Sequence, residues 1–332
     1  MFAGTLHNDQ KPRDYGAPFD DSDADVVLRS SDNADFRVYK VILAKSSPFF
    51  SDLFSIPQPE EEKASPDPAH TESTPQLPVI DVSEHSRILA MLLSMCYPLA
   101  DEPTFSSLQE LCSVLAAAKK YDMDRAYKTA SRAFAQSSFL ANRPARAYAS
   151  VCRLELEPEA RNAARACLRQ AISLESLGED IAFMDGPALH KLWRYHRMCG
   201  EEASSVAKNF TWITRRNGEA WAWAPPSGCC VATAIVVANN ETWQARGWWT
   251  SYMARAAVAL KDRPWGEVVK ARELLLPSFQ MLTCGRCSPL LVESLLAFSQ
   301  VFAEEVERRI NLVRMTLMFR VGNRELRHKI HA

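Results

Sequence analysis

The chain has 332 residues, 47% of them apolar, and a formal net charge of −1 at pH 7. That length and apolar content suit two domains with packed cores, and the near-zero charge supplies no overall field toward nucleic acid or acidic membranes, so neither is an expected partner. No apolar run approaches the roughly 18–20 residues of a membrane-spanning helix, no apolar segment follows a basic start as in a secretory leader, and an odd number of cysteines, nine, fits free thiols in an intracellular compartment, cytoplasmic and/or nuclear.

Taken in chain order, residues 1–20 are polar and carry Gly4, Pro12, Gly16 and Pro18 without periodicity, which predicts a disordered tail. Two β-branched runs at 25–28 and 36–43 flank Ser31, Asp32 and Asn33, the pattern of a hairpin. Ser46, Ser47 and Pro48 then predict a helix start, with a hydroxyl as N-cap and proline in the first turn. Phe49, Phe50, Leu53 and Phe54 follow at helical spacing. Residues 57–78 hold six prolines and the acids Glu60, Glu61 and Glu62, which predicts a flexible acidic loop. A short strand is expected at 79–82. A helix follows through Ile88, Leu89, Leu92, Met95 and Cys96, closed by Pro98 and Pro103. Residues 106–122 place Leu108, Leu111, Cys112 and Leu115 on one helical face, and another helix is expected at 124–137.

Beyond residue 140 the pattern is helical. Pro144, Pro158 and Pro187 each open a predicted helix, the second lined by Ala160, Ala163, Ala164, Cys167, Leu168 and Ala171, small residues that suit close packing. The third carries Leu189, Leu192, Trp193 and His196, with His196 expected to pack beside Trp193. Residues 210–266 hold seven of the eight tryptophans, and Trp221-Ala222-Trp223 reads as a short strand or extended loop. Helices are expected from Trp248 to about Leu260, from Trp265 to Leu276, and from Pro289 to about residue 320. The last has a stripe of Leu291, Leu295, Phe298, Phe302, Val306, Ile310 and Val313.

Four cysteines are candidate zinc ligands. Cys284 and Cys287 have ligand spacing, but Cys229 and Cys230 are adjacent and do not form a second such pair. His196 is a conceivable additional ligand. Buried free thiols are the commoner use of cysteine. The tryptophans read as interior packing in preference to a ligand cage. Residues 320–332 are basic and read as a solvated helix end or as a localisation or nucleic-acid tail. No phosphate-cradling, zinc-hydrolase or nucleophile-elbow motif occurs, so no catalytic residue and no cofactor is assigned.

The Asp25-Val26 opening, then Phe36-x-Val38-Tyr39-Lys40-x-x-Leu43, then Ser47-x-Phe49-Phe50 resembles the BTB/POZ domain. Ala118-Lys119-Lys120-Tyr121 is similar to the end of a later helix of that family. Pro144-Ala145-Arg146-Ala147-Tyr148, residues 163–168 and residues 195–200 resemble an expanded group of BTB proteins from mushroom-forming fungi. The resemblance implies an α+β domain over 21–137, a short sheet capped by helices with 57–78 as a loop insertion. A mostly helical extension over 140–332 follows, with a Trp/Cys-rich segment at 210–290. It also implies a protein-interaction scaffold or adaptor and not an enzyme, with self-association or a cullin-type ubiquitin ligase subunit as partner. In such domains an Asp and a cation at the positions of Asp25 and Lys40 make a charged pocket in the dimer. Residues 1–22 lack the amphipathic helix that many such dimers exchange. Glu60 takes the acidic position of the cullin-contacting motif counted from Phe54, while Gln58 stands at its hydrophobic position. The implied partner-binding residues are therefore Asp25, Lys40, Phe54 and Glu60. Two other functions stay open: a zinc- or ligand-binding helical domain governed by the BTB part, and a nuclear regulator that uses the BTB part to self-associate.

Overall fold

The hairpin forms where it is expected, with different ends. In the computed structural model, which describes residues 11–56, 77–97, 103–216, 221–224, 232–280 and 288–315, the chain divides into two units, Met1–Asn142 and Arg143–Ala332. The first unit holds a four-stranded sheet of β1 (Arg13–Asp14), β2 (Val26–Arg29), β3 (Ala34–Val38) and β4 (Val79–Asp81), in the order β1-β3-β2-β4. β2 and β3 are antiparallel, with Leu28 opposite Phe36 and Arg29 opposite Asp35. Asn33 takes a positive φ of 58° in the turn, a conformation asparagine tolerates well. The Arg29 guanidinium grips both carboxylate oxygens of Asp35 at 2.7 and 2.9 Å, which fixes the register. In β3, Ala34, Phe36 and Val38 are buried and alternate with half-exposed Asp35 and Arg37. β2 lies between β3 and the parallel β4 and buries Val26, Val27 and Leu28 in succession, as an inner strand must.

Two expectations change here. The run 36–43 is a strand only as far as Val38; Lys40–Ser46 is helix α1. Past Val38 the Tyr39 N–H donates to the Tyr97 hydroxyl at 2.9 Å and the Lys40 N–H to Asp25 Oδ1 at 2.6 Å, so neither is left for a ladder. The Tyr39 carbonyl instead accepts the Ile42 and Leu43 amides and starts a helix. The tail expected to be disordered over 1–20 is ordered from residue 11: β1 pairs in parallel with β3, and Phe19 is buried against Phe36 and Tyr97. Residues 1–10 lie outside the described residues, as does most of the loop expected at 57–78.

The unit continues with α2 (Pro48–Ser55), α3 (Ser86–Ser94), α4 (Leu108–Lys120), α5 (Asp124–Gln136) and the short α6 (Ser138–Asn142). Ser47 caps α2 by accepting the Phe50 amide at 3.1 Å, and Ser107 caps α4 in the same way through Glu110. Leu89, Leu92, Leu111, Leu115, Ala118, Ala126, Ala130 and Phe134 are all buried, so the apolar stripes of α3, α4 and α5 close the core.

The second unit contains α7 (Pro144–Arg153), α8 (Glu157–Cys167), α9 (Leu174–Leu177), α10 (Gly186–Val206), β5 (Ala232–Val236), β6 (Thr242–Arg246), α11 (Gly247–Asp262), α12 (Arg272–Gln280) and α13 (Ser288–Leu312). Ala147, Ala160, Ala163 and Ala164 are buried where α7 packs on α8. α10 crosses α11 closely at Gly200: a Cβ there would meet the Lys261 carbonyl oxygen at 2.4 Å. The antiparallel β5–β6 hairpin was not expected. It turns through Asn239 and Asn240, both at positive φ. The helix expected from Trp265 to Leu276 is instead a 3₁₀ turn, Gly266–Lys270, followed by α12. Pro277 stands inside α12, and Arg255 from α11 donates to the Leu274 carbonyl and the Ser278 hydroxyl there. The last helix ends at Leu312, with Leu295, Phe298, Phe302, Val306 and Ile310 fully buried as its stripe requires. No helix among the described residues is long and apolar enough to cross a membrane.

Candidate interaction surfaces

The signature residues of the first unit meet at Tyr121. The Ser47 hydroxyl, while capping α2, donates to the Tyr121 carbonyl. Phe49 and Phe50 lie against the Tyr121 ring with centroids at 5.4 and 5.3 Å. The Tyr121 hydroxyl donates to Glu84, which also accepts from Lys120 Nζ at 2.9 Å. Burial, then the bond to Glu84, raises the Tyr121 phenol well above its ordinary pKa of 10.0, so it is a fixed donor. One residue thus ties α2, the segment leading into α3 and the end of α4 together. A second knot is Asp32 in the hairpin turn. It accepts from the Ser86 amide and hydroxyl at 2.7 Å each and from the Ser30 hydroxyl at 2.8 Å, with His85 at 3.5 Å. Partial burial opposes its ionisation, but these donors outweigh it and hold the carboxyl well below its ordinary 3.8.

Three of the four candidate partner-binding residues come together. Asp25 is exposed and accepts the Lys40 amide at 2.6 Å, and the Lys40 ammonium lies 5.9 Å from the Phe54 ring centroid. Lys40 therefore belongs to the first turn of α1 and not to the second strand. Asp25 holds that residue through its backbone, where a carboxylate also complements the positive end of the helix. Glu60 lies outside the described residues. Val41, the neighbour of Lys40 in α1, is 61% exposed, and Ile56, two residues past Phe54, is 45% exposed. Val41 was missed as a site residue because the strand expectation hid which face of α1 points to water; Ile56, just past the end of α2, has no signal of exposure in its composition.

Residues 18–138 match the BTB/POZ domain. The N-terminal unit is a BTB/POZ domain. BTB/POZ domains are protein-interaction modules without catalytic chemistry. No curated protein matches the chain.

In the helical unit the tryptophans fill the interior. Trp223 stacks on Trp249 at 4.0 Å and 9°, Phe298 meets Trp221, Trp223 and Trp249 edge-on, and Trp212 stacks on Phe298 and Phe302. Trp221 and Trp223 sit in a turn and not in a strand. Trp193 is not part of this packing: it is 55% exposed, so His196 does not gain burial beside it. His196 is buried instead against the Gln170 carbonyl, 2.9 Å from its Nε2, and burial lowers its pKa below the ordinary 6.5. Burial raises the thiols of Cys152 and Cys199 to about 11 and that of Cys167 to about 12, which keeps them protonated. Cys229, Cys230, Cys284 and Cys287 lie outside the described residues, as do residues 316–332. Among the described residues no group of three or more His, Cys, Asp or Glu side chains converges as a metal site.

Proposed function

We propose that the chain is a scaffold or adaptor: the BTB domain docks another polypeptide on the face made by α1 and the end of α2, and the helical unit holds a client. One observation carries this reading. Val41, next to Lys40 in α1, and Ile56, just past the end of α2, leave large apolar surface in water on the two elements that meet where the Lys40 ammonium lies over the Phe54 ring and Asp25 holds the Lys40 amide. An apolar centre with a polar rim is what a protein interface needs. Two partners suit the family, a second copy of this chain and a cullin-type ubiquitin ligase subunit. Glu60 would supply the acid of the cullin contact. The helical motifs at 144–148, 163–168 and 195–200 resemble the expanded BTB group of mushroom-forming fungi, which supports the two-part architecture. The zinc-binding and nuclear-regulator alternatives rest on the sequence alone.

The test compares the full chain with its Val41→Glu/Ile56→Glu double variant by light scattering, alone and mixed with a purified cullin. The wild type should form a dimer or a stoichiometric cullin complex, and the variant should remain a monomer. A wild type that is monomeric and ignores the cullin, or a variant that assembles equally well, refutes this face as the docking surface.

A further inference from the structure

α10 has one face in the core and one in water, and the watered face is chemically unusual. Leu192, Tyr195, His196, Cys199 and Ala203 are buried. Opposite them, His190, Trp193, Arg194, Arg197 and Glu201 are all exposed and recur at i, i+3, i+4, i+7 and i+11, a stripe about 100° wide at 3.6 residues per turn. All eight tryptophans are among the described residues, and Trp193 alone is mostly in water; the others are buried or half-buried. No hydrogen bond, ion pair or ring contact engages the side chains of His190, Trp193 or Arg194 among the described residues. Arg197 meets Glu201 only at 3.7 Å with both side chains over 60% exposed, a pair worth little and easily exchanged.

We infer that this stripe, centred on Trp193 and flanked by His190, Arg194 and Arg197, is a docking site for an acidic segment of a partner protein, one that sets an apolar side chain on the indole between carboxylates. The inference rests on the adaptor reading and names the chemistry of the client. Tryptophan and arginine dominate binding energy at interfaces, because one buries a large apolar face and the other pairs bidentately with carboxylates. The span from residue 190 to residue 197 is about 10 Å along the helix, the reach of three or four extended residues. A nucleic acid fits less well. It needs a long run of cations to neutralise successive phosphates, and here Glu201 and Glu202, both exposed, close the C-terminal end of the stripe.

A random peptide display library selected on the immobilised full chain tests this, followed by fluorescence anisotropy of the winning peptide against the wild type, Trp193→Ala and Arg194→Glu. The selected peptides should be rich in Asp and Glu around an aromatic or aliphatic residue. Each substitution should weaken binding by about 10-fold or more, and high salt should weaken the wild type. Both side chains hang in water, so the melting temperature should not move; if Trp193→Ala lowers it, Arg194→Glu decides. Winning peptides without acidic enrichment overturn the inference. Acidic peptides that bind both variants as tightly as the wild type also overturn it, while leaving the adaptor reading intact with its client site elsewhere. A mixed-sequence single-stranded oligonucleotide that binds the wild type more tightly than the winning peptide and is lost in both variants overturns it in favour of a nucleic-acid site.

Discussion

The ring of Tyr121 packs on Phe49 and Phe50 while its hydroxyl donates to Glu84, so removing that hydroxyl leaves a mostly buried carboxylate held on its other oxygen by Lys120 and the Ser83 hydroxyl. Tyr121→Phe should lower stability by about 1.5–3 kcal/mol in urea unfolding, the usual worth of a hydrogen bond to a charged group. Asp32 makes a different prediction. Its folded pKa lies below its unfolded one, so its contribution is complete above 3.8 and is lost as pH falls from there. The gap in denaturation midpoint between the wild type and Asp32→Asn should therefore close as pH falls below 4. His196 follows the same sign from a different cause: burial lowers its pKa, so stability is complete above 6.5 and declines as pH falls and the unfolded chain takes up a proton first. His196→Gln should flatten that decline between about pH 6.5 and 5, read from melting temperatures across the range.

At the scale of elements, Gly200 is the sharpest test. Alanine there gains up to about 1 kcal/mol of helix propensity, but its Cβ would stand 2.4 Å from a backbone oxygen that belongs to α11 and cannot swing aside. Overpacking costs about 1–3 kcal/mol, so Gly200→Ala should destabilise the helical unit by roughly 1–2 kcal/mol and lower its melting temperature. The helices themselves were legible because their signals are local. Ser47 and Pro48 open α2, Ser107 opens α4, and the stripe from Leu295 to Ile310 appears at the right period. The end of β3 was not legible, because its amides are claimed by Asp25 and by Tyr97, the latter 58 residues downstream. β1 was missed for a related reason: a two-residue strand in a polar tail is specified by its pairing with β3, not by its own composition. The β5–β6 hairpin did carry a signal, Asn239-Asn240 just after the β-branched run Ile235-Val236-Val237, masked by the helical character of its neighbours.

For the whole molecule, the BTB domain was readable because its signature residues are those that touch one another: Ser47, Phe49, Phe50 and Tyr121 form one knot. The candidate contact face was only partly readable. Asp25, Lys40 and Phe54 follow from the resemblance, but the apolar surface beside them depends on α1 being a helix. The exposure of Trp193 is not legible in the sequence, which sets it beside His196: a tryptophan next to Leu192 suits either side of a helix, and only the packing of α10 on α11 and α13 decides which side is wet. The adaptor role requires that the α1–α2 face meet another polypeptide. A photo-crosslinking residue placed at Val41 in the full chain, with the equally apolar and exposed Val258 as control, measures that directly. The prediction is discrete, protein-sized adducts from position 41 and none from position 258. No adduct at position 41, or the same diffuse pattern at both positions, would contradict it.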